Sequence, residues 1–228
     1  MIYIDKKLHF PPVRLADQSG VLAVGGDLKP ERIMLAYQKG VFPWFADEGP
    51  VLWWAPDPRF VLFPQDFKMS KSTRRLLRKN VFQVTFDTCF ERVINECQNI
   101  QRPGQDGTWI SDDLKKSFIQ IHENGFAHSV EVWKDGDLVG GLYGTSLGGM
   151  YFGESMFSKV SNASKIGFVT LVPKLIERGI KLIDCQVYTE YLEQFGARHI
   201  PRESFMHNLE VLLDFDTLKG KWTHLFQV

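Results

Sequence analysis

The sequence predicts a protein of the α+β class with a small β-rich N-terminal domain, residues 1–62, and a larger domain, residues 63–228. Three observations support this prediction. The first sixty residues are dense in glycine, proline and tryptophan. Further along, an Asp-Gly turn between two alternating segments signals a β-hairpin. The segments around that hairpin carry apolar residues at helical spacing. We therefore expect the larger domain to contain helices and a mixed, mostly antiparallel sheet.

The N-terminal domain is predicted to contain one helix and several short strands. The helix runs from Pro30 to Lys39, because proline suits the first turn of a helix and Gly40 suits its end. The segments GVFPWF (40–45) and VLWWAPDPRF (51–60) are predicted to form short strands and turns. Their prolines argue against central strands.

The larger domain is predicted to combine helices with at least five strands. Thr88 and Glu91 form a capping box before the apolar stripe of a helix. The predicted elements, in chain order, are helix 71–79 capped by Ser70, strand 81–86, the helix after Thr88, linker NIQRPGQDGTW (99–109), a helix from Ser111 to near Gly125, strands 128–133, 138–144 and 149–154, helix 163–177 capped by Ser161 or Asn162, strand 181–187, a helix ending near Gly196 and helix 203–213. An antiparallel meander followed by a helix and another strand suggests an acyl-CoA N-acyltransferase-like (GNAT-like) α/β domain, which by itself gives no function.

Composition and charge exclude several classes of protein. Lys+Arg and Asp+Glu both number 27, so a globally basic nucleic-acid-binding protein is not indicated, although a local basic patch is compatible with this balance. The three cysteines contain no CxxC pair, which argues against a disulfide scaffold or a structural zinc site. The N-terminus does not resemble a signal peptide, and no apolar run is long enough for a membrane span. We expect a cytoplasmic protein.

The segment KLIDCQV (181–187) carries two polar residues in an apolar strand. Because side chains alternate along a strand, Asp184 and Gln186 are predicted to share one face, opposite Cys185. A buried carboxylate without a partner is very unfavourable, so both residues need a role. They either satisfy backbone groups at a sheet edge or belong to a functional site.

Two further patterns have both a structural and a functional interpretation. In FGESMFS (152–158), Glu154 ends an uncharged strand, and Gly153 would permit close approach of a ligand; an ordinary hairpin edge is the alternative. Trp44, Trp109 and the pair 53–54 could stack on nucleic-acid bases or pack in the core.

A basic helix is the fourth pattern. In SKSTRRLLRKN (70–80), the cations at i, i+3, i+4 and i+7 form one stripe, with no acidic residue between Asp66 and Asp87. The stripe is either a solvated face or a phosphate-binding surface. We call it the basic stripe; its residues are Lys68, Lys71, Arg74, Arg75, Arg78 and Lys79.

Seven short strings together resemble one protein family. They are GGDL (25–28), FPWF (42–45), LWWAPDPR (52–59), GTWI (107–110), GESMFS (153–158), NASK (162–165) and LIDCQV (182–187). In this order they resemble the bacterial leucyl/phenylalanyl-tRNA–protein transferases over nearly the whole chain. The resemblance implies transfer of leucine or phenylalanine, and less readily methionine, from aminoacyl-tRNA to the N-terminal Arg or Lys of a protein. This transfer creates an N-degron for protein degradation. It also implies a small N-terminal domain, an acetyltransferase-like catalytic domain, and a monomer that uses no cofactor and no metal.

The resemblance also implies roles for individual residues. Asp184 and Gln186 match the catalytic pair: Gln186 would hydrogen-bond the attacking amine or the oxyanion, and Asp184 would orient it and help the proton leave. Glu154 would bind the α-amino group of the aminoacyl end. Cys185 would not act as a nucleophile, so no covalent intermediate is expected. Trp44 and Trp109 match positions at the 3′-adenosine, and the basic stripe matches the cations for acceptor-stem phosphates.

An apolar pocket for the amino acid side chain is predicted from the same resemblance. Such a slot should reject β-branched side chains by shape, with finite selectivity. The balance between leucine, phenylalanine and methionine does not follow from the sequence. The predicted substrate-binding residues are Leu142, Tyr151, Gly153, Met156, Phe168, Leu171, Leu175 and Ile183.

Three other functions would each explain part of the sequence. An acetyl-CoA-dependent N-acetyltransferase needs a pyrophosphate-binding loop of the type [QR]xxGx[GA], and the helix opens SNASKIG instead. A peptidoglycan-bridge aminoacyltransferase typically has two such domains, and this chain has room for one. An RNA-binding module without enzymatic activity would explain the basic stripe and the tryptophans but not the Asp, Gln and Glu set.

Overall fold

The computed structural model describes residues 1–45, 49–100 and 108–226, and the N-terminal part of the chain forms a four-stranded sheet. Its strands are β1 (Ile2–Ile4), β2 (Val21–Gly25), β3 (Phe42–Pro43) and β4 (Leu52–Trp54), in the order β1-β2-β4-β3. Helix α1 (Pro30–Gln38) follows β2. Its predicted start at Pro30 is confirmed, and Gly40 beyond its end has a φ of +72°.

A second sheet of seven strands confirms the predicted mixed, mostly antiparallel arrangement. The strands are β5 (Arg59–Leu62), β6 (Gln83–Phe86), β7 (Ala127–Lys134), β8 (Asp137–Leu147), β9 (Met150–Ser158), β10 (Leu182–Gln186) and β11 (Arg198–Ile200). Their order is β11-β5-β10-β9-β8-β7-β6, and among the described pairings of this sheet only β9 and β10 run parallel. The β7–β8 hairpin turns at Asp135 and Gly136, both with positive φ, as the Asp-Gly signal predicted.

The predicted helices of the larger part are present with small shifts at their ends. They are α2 (Lys71–Arg78), α3 (Phe90–Asn99), α4 (Asp112–Glu123), α5 (Ala163–Glu177), α6 (Glu190–Glu193) and α7 (Arg202–Leu213). Ser70 caps α2, as predicted, and α4 begins after Ser111, whose side chain caps it. Most of the predicted linker 99–109 lies in 101–107, outside the described residues. No helix in the described ranges combines the length and apolar composition needed to cross a membrane.

Strand β5 corrects one expectation. The prolines of segment 51–60 argued against central strands, yet Arg59 and Phe60 begin a strand that pairs with β10 on one side and β11 on the other. Pro56 and Pro58 precede the strand, so they remove no hydrogen-bond donor from its ladder. The strand also precedes the predicted domain boundary at residue 62 while belonging to the larger sheet. The division into two domains stays a prediction.

Two predicted helix caps are wrong. Helix α3 begins after Cys89, and Thr88 does not cap it; instead Thr88 Oγ1 donates to the buried carboxylate of Glu131 at 2.7 Å. Helix α5 begins after Asn162, whose φ of +70° is left-handed and whose side chain makes no cap. The amide of Ser164 donates to the Ser158 hydroxyl at 3.2 Å instead. At the start of α3 the distant Glu131 carboxylate takes the place of the local cap, and at the start of α5 the Ser158 hydroxyl of strand β9 does so.

The described residues form two apolar cores: one lies between α5 and the larger sheet, and the other links both sheets. The second core joins Ile33 and Trp53 of the N-terminal part to Phe118, Phe152 and Leu209 of the larger part. The indole of Trp53 donates to the Gly25 carbonyl at 2.9 Å, which accounts for its structural role. Because the N-terminal part packs into this core, α1 is held against the larger sheet, where Tyr37 stacks on Phe152 of β9.

We predict that Glu131 contributes more to stability than the predicted capping residue Glu91. Glu131 is fully buried and accepts from Thr85 Oγ1 at 2.6 Å, Ser129 Oγ at 2.5 Å, Thr88 Oγ1 at 2.7 Å, and the amides of Thr88 and Cys89. Glu131→Ala leaves these donors unpaired, so the free energy of unfolding should fall by roughly 3 kcal/mol or more.

The matched control is Glu91→Ala on the exposed face of α3, which should change stability by no more than about 0.5 kcal/mol. Urea unfolding of both variants measures the two effects. A larger effect at Glu91 would contradict this account of the start of α3.

Candidate active site

A cavity of about 410 Å³ opens where strands β9 and β10 diverge. The two strands are paired in parallel up to Asp184 and Phe152, after which β9 continues and β10 ends at Gln186. Side chains from both strands, from α5, and from residues 42–44 of the N-terminal part surround the space. The cavity therefore has an apolar end under α5 and a polar neck beside Asp184, Glu154 and Gln186.

The polar neck is built around a buried ion pair between Arg59 and Asp184. Arg59 Nε lies 2.9 Å from Asp184 Oδ1 and Arg59 Nη2 lies 2.6 Å from Oδ2, with relative exposures of 1% and 0%. Arg59 Nη1 also donates to the Gly40 carbonyl at 3.2 Å. The guanidinium lies 4.6 Å from the ring of Phe42 and 4.5 Å from that of Phe205. This fork fixes the carboxylate in one orientation.

The same carboxylate holds the backbone of Gln186. The amide of Gln186 donates to Asp184 Oδ1 at 2.9 Å, and the amide of Val187 donates to the Cys185 carbonyl at 2.7 Å. Gln186 has a φ of +64°, which is uncommon for a residue other than glycine. This turn interrupts the register of β10 with β5, so Asp184 and Gln186 do not simply share one face of a regular strand. Asp184 lies in an interior strand, not at a sheet edge.

Glu154 faces this neck from β9. Burial is the main cause that raises the pKa of its carboxyl to about 8, and the negative charge of Asp184 adds to the shift. Hydrogen bonding by the Tyr37 hydroxyl and the Gln186 amide, and the positive charge of Arg59, oppose it. Among the described residues, Glu154 Oε1, Gln186 Nε2 and Tyr37 Oη make no hydrogen bond of ordinary geometry. Buried polar atoms are rarely left unpaired, so three of them at one cavity neck mark a place for a polar ligand.

Cys185 lies on the same turn and lines the cavity. Burial raises the pKa of its thiol far above the ordinary value, and the charge of Asp184 adds to this effect. A thiol in such surroundings stays protonated and is a weak nucleophile. Within the described ranges, no group of three or more histidine, cysteine, aspartate or glutamate side chains could hold a metal ion.

The apolar end of the cavity gathers most of the residues predicted for it. Leu142, Tyr151, Gly153, Met156, Phe168 and Ile183 line the space. Leu171 and Leu175 do not line it. They are fully buried in the core under α5, because the apolar face of that helix packs along the sheet and reaches the cavity through Phe168 near its N-terminus.

The two tryptophans that were assigned to a ligand lie at the cavity, and their contact with a ligand stays a prediction. Trp44 and Trp109 line it, and Trp44 is 40% exposed. The ring of Trp54 lies 5.4 Å from that of Trp44 and supports it from the side. An exposed indole next to a polar neck is available for stacking on a planar ligand.

The basic stripe lies on and beside α2. All six side chains are exposed, and none of them takes part in an ion pair among the described residues. Lys71, Arg75 and Lys79 line a groove with Asn162 and Lys165 at the start of α5. Lys165 therefore extends the cationic surface, and sequence spacing did not reveal it because α5 is distant from α2 in the chain.

Sequence reasoning also missed Arg59 and Tyr37. Arg59 stands at the end of LWWAPDPR, and nothing in that string predicts a role for it. Tyr37 looks like one more apolar position of α1; its ring stacks on Phe152 at 4.9 Å, and its hydroxyl faces Glu154. Neither contact has a local signal, since each joins residues more than a hundred positions apart.

Comparison with known proteins identifies the family. A family model described as leucyl/phenylalanyl-tRNA protein transferase matches residues 61–210, and the model of its N-terminal domain matches residues 26–57. Three relatives named leucyl/phenylalanyl-tRNA–protein transferase are similar over almost their whole length. The relative from Syntrophus aciditrophicus is 53% identical over 96% of this chain and 92% of its own, the one from Flavobacterium johnsoniae 55% over 92% and 99%, and the one from Myxococcus xanthus 50% over 97% and 96%.

A weaker structural likeness is to L-PGS from Bacillus licheniformis, with a TM-score of 0.37, 12% identity, and coverage of 72% of this chain and 58% of that one. It carries no argument about fold, so the acyltransferase-like assignment stays a prediction.

The cavity neck and the matches together define an aminoacyltransferase enzyme. The chain belongs to the leucyl/phenylalanyl-tRNA–protein transferase family, as the sequence strings predicted.

We predict that Glu154 makes the stability of the protein fall as pH rises. The folded-state pKa of about 8 lies above the ordinary value of 4.5 for this carboxyl, so the folded protein binds one more proton between these two pH values. The stability contributed by the neutral carboxyl is complete below pH 4.5 and is lost by about pH 8. Glu154→Gln removes this titration while keeping the size of the side chain.

Thermal unfolding of both proteins from pH 5 to pH 9 tests this. The melting temperature of the wild type should fall relative to the variant as pH rises to about 8 and then run parallel to it. A constant difference between the two proteins would show that Glu154 is not held neutral.

Proposed function

We propose that this enzyme transfers leucine or phenylalanine, and methionine less readily, from aminoacyl-tRNA to the N-terminal Arg or Lys of acceptor proteins. The product is a new peptide bond and an N-degron. The enzyme acts as a cytoplasmic monomer without a cofactor. One observation carries this proposal: the unpartnered atoms of Glu154 and Gln186 lie at the neck of an apolar cavity beside two tryptophans.

The apolar end fits the side chain of the transferred residue. The slot is apolar and suits a side chain that is unbranched at Cβ. It is lined by Leu142, Met156, Phe168 and Ile183, and by the fully buried ring of Tyr151. Leucine, phenylalanine and methionine can fill it, whereas a β-branched side chain is crowded near its Cβ. A single methyl group changes binding by about 1–3 kcal/mol, so this selectivity is finite.

The tryptophans and the basic stripe fit the tRNA. Trp44 and Trp109 stand at the cavity, where the 3′-adenosine must lie when its aminoacyl group enters the slot. The exposed cations of the stripe, together with Lys165, suit the acceptor-stem phosphates. Such contacts depend on salt and are largely blind to sequence.

The reaction needs one attack and one proton transfer. The acceptor amine attacks the ester carbonyl carbon, the C–N bond forms as the bond to the ribose oxygen breaks, and the proton lost by the amine ends on the ribose hydroxyl. Gln186 Nε2, which faces Glu154 but makes no hydrogen bond of ordinary geometry among the described residues, donates to the developing oxyanion. Positioning supplies most of the acceleration, since an aminoacyl ester is already reactive toward amines.

The two carboxyl groups have different tasks in this proposal. Asp184 is committed to Arg59 and to the Gln186 amide, so its task is to orient Gln186. Glu154 has an unpartnered oxygen and a carboxyl pKa raised to about 8 by burial, so it binds the α-amino group of the aminoacyl end. It can exchange a proton there near neutral pH. The Cys185 thiol takes no covalent part.

A transfer assay tests this function. Purified enzyme is incubated with radiolabelled Leu-tRNA and a peptide that begins with Arg; a peptide that begins with Glu is the control. Label should enter the Arg peptide alone. Failure with Leu-, Phe- and Met-tRNA by folded enzyme would contradict the proposal.

Two variants should give opposite signatures in this assay. Gln186→Ala should lower the single-turnover rate by at least about 10²-fold while aminoacyl-tRNA binding is kept. Arg75→Ala should weaken tRNA binding and reduce the slope of its salt dependence by about 1, with the rate at saturation kept. Full activity of Gln186→Ala would contradict the role given to Gln186, whereas loss of transfer with tRNA binding kept would exclude an RNA-binding module without enzymatic activity.

A further inference from the structure

One wall of the cavity is formed by a phenol that no hydrogen bond holds. The ring of Tyr151 borders the apolar end of the cavity beside Leu142 and Phe168. The residue is almost fully buried, and its hydroxyl has no hydrogen-bond partner among the described residues. The position of this wall therefore depends on what packs behind the ring.

Two neighbours back the ring, and neither of them borders the cavity. Gly144 of strand β8 lies directly against the tip of the phenol, because a Cβ added at Gly144 would overlap the Tyr151 side chain. The indole of Trp222 is the other neighbour, with its ring centroid 5.9 Å from that of Tyr151 and the two planes tilted by 34°. Trp222 is fully buried in the apolar core between α5 and the larger sheet. The ring of Tyr151 is thus supported by the sheet and by this indole.

Trp222 is itself fixed by a buried carboxylate. Its amide donates to Asp87 Oδ2 at 2.8 Å, and its indole Nε1 donates to the Leu218 carbonyl at 3.2 Å. The ring of His128 stacks on the indole at 3.8 Å with an angle of 4°, and His128 Nδ1 lies 2.9 Å from the same Asp87 oxygen. The Ser129 amide donates to the other oxygen at 2.8 Å. One carboxylate therefore holds the indole in place over strand β7.

The indole lies outside the part of the chain that the family model covers. That model matches residues 61–210, a range that contains Tyr151 but not Trp222. The wall of the cavity is therefore supported by a residue that neither the family match nor the sequence strings indicate.

We propose that Trp222 determines specificity by holding the Tyr151 ring in place, which sets how long a side chain the apolar slot accepts. This inference rests on the proposed function and adds what restricts the size of the transferred amino acid. Trp222 acts through Tyr151, so it is a positioning residue. Movement of the phenol toward the sheet is blocked at Gly144, so a smaller side chain at position 222 gives the ring space on the other side.

This arrangement gives the change in selectivity a definite sign. When the ring moves into the space that the indole leaves, the slot becomes deeper. A long side chain then gains room, whereas leucine loses contact with the wall. Discrimination in an apolar pocket responds to changes as small as one methylene group, so a moderate movement of the ring is measurable.

The test uses one tRNA charged with either leucine or 2-naphthylalanine, which is longer and also unbranched at Cβ. Transfer to the peptide that begins with Arg gives kcat/KM for each amino acid, and their ratio does not depend on the fraction of folded enzyme. In Trp222→Leu the ratio of naphthylalanine to leucine should rise at least about fivefold. Trp222→Phe keeps a ring behind Tyr151 and should raise the ratio by a smaller factor, about threefold.

Phe226→Leu is the matched control for loosening of the same segment. The ring of Phe226 packs edge-on against Trp222 and Phe86, each at 5.0 Å, and its ring contacts among the described residues do not include Tyr151. This variant should lower the melting temperature as the Trp222 variants do. Its ratio should stay close to that of the wild type, because the indole behind Tyr151 is kept.

The outcomes separate this inference from the proposed function. An unchanged ratio in both Trp222 variants, or an equal rise in Phe226→Leu, would overturn the role of Trp222 and leave leucine transfer standing. If Trp222→Leu does not fold, the comparison of Trp222→Phe with Phe226→Leu decides in the same way. A folded wild type that transfers leucine to no peptide would contradict the proposed function and this inference with it.

Discussion

The contact between Arg59 and Asp184 places two opposite charges in an interior from which water is excluded. Either charge alone would be very unfavourable there. Together they are held by two short hydrogen bonds, by the Gly40 carbonyl, and by rings on both sides of the guanidinium. A buried pair of this kind is seldom more stable than apolar residues of the same shape, whereas loss of one partner costs about 3–5 kcal/mol. We therefore infer that the ion pair serves to position neighbouring groups and does not serve mainly to stabilise the fold.

What the pair positions is the end of strand β10. The carboxylate that receives the guanidinium fork also receives the Gln186 amide, and that bond supports a backbone conformation that glutamine rarely adopts. Because β10 turns there while β9 continues, the strands separate and the cavity opens between them. The apolar core that links both sheets keeps α1 against this point, and β5 pairs with β10, so Tyr37, Trp44 and Arg59 from the first 62 residues complete a site whose other residues lie far along the chain.

Much of this could be predicted from the sequence, and the exceptions share a cause. Helices α1, α2 and α4 and the β7–β8 hairpin follow from local caps and turns, and α5 follows from its periodicity although its predicted cap is wrong. Strings such as GESMFS and LIDCQV indicated Glu154, Asp184 and Gln186 because whole motifs match a family. Arg59 and Glu131 were not identified, since each acts through partners that only the fold brings near. Leu171 and Leu175 were misplaced because helical spacing gives a shared face but not how far along the helix a cavity extends.

The most direct test is the single-turnover rate of leucine transfer by Arg59→Lys. Lysine keeps a positive charge beside Asp184 but cannot form the bidentate fork or the same stacking between two rings. If the pair acts by positioning Gln186, the rate should fall by about tenfold or more while the affinity for aminoacyl-tRNA is kept. A folded variant whose rate stays within about twofold of the wild type would contradict this account, because charge alone would then suffice.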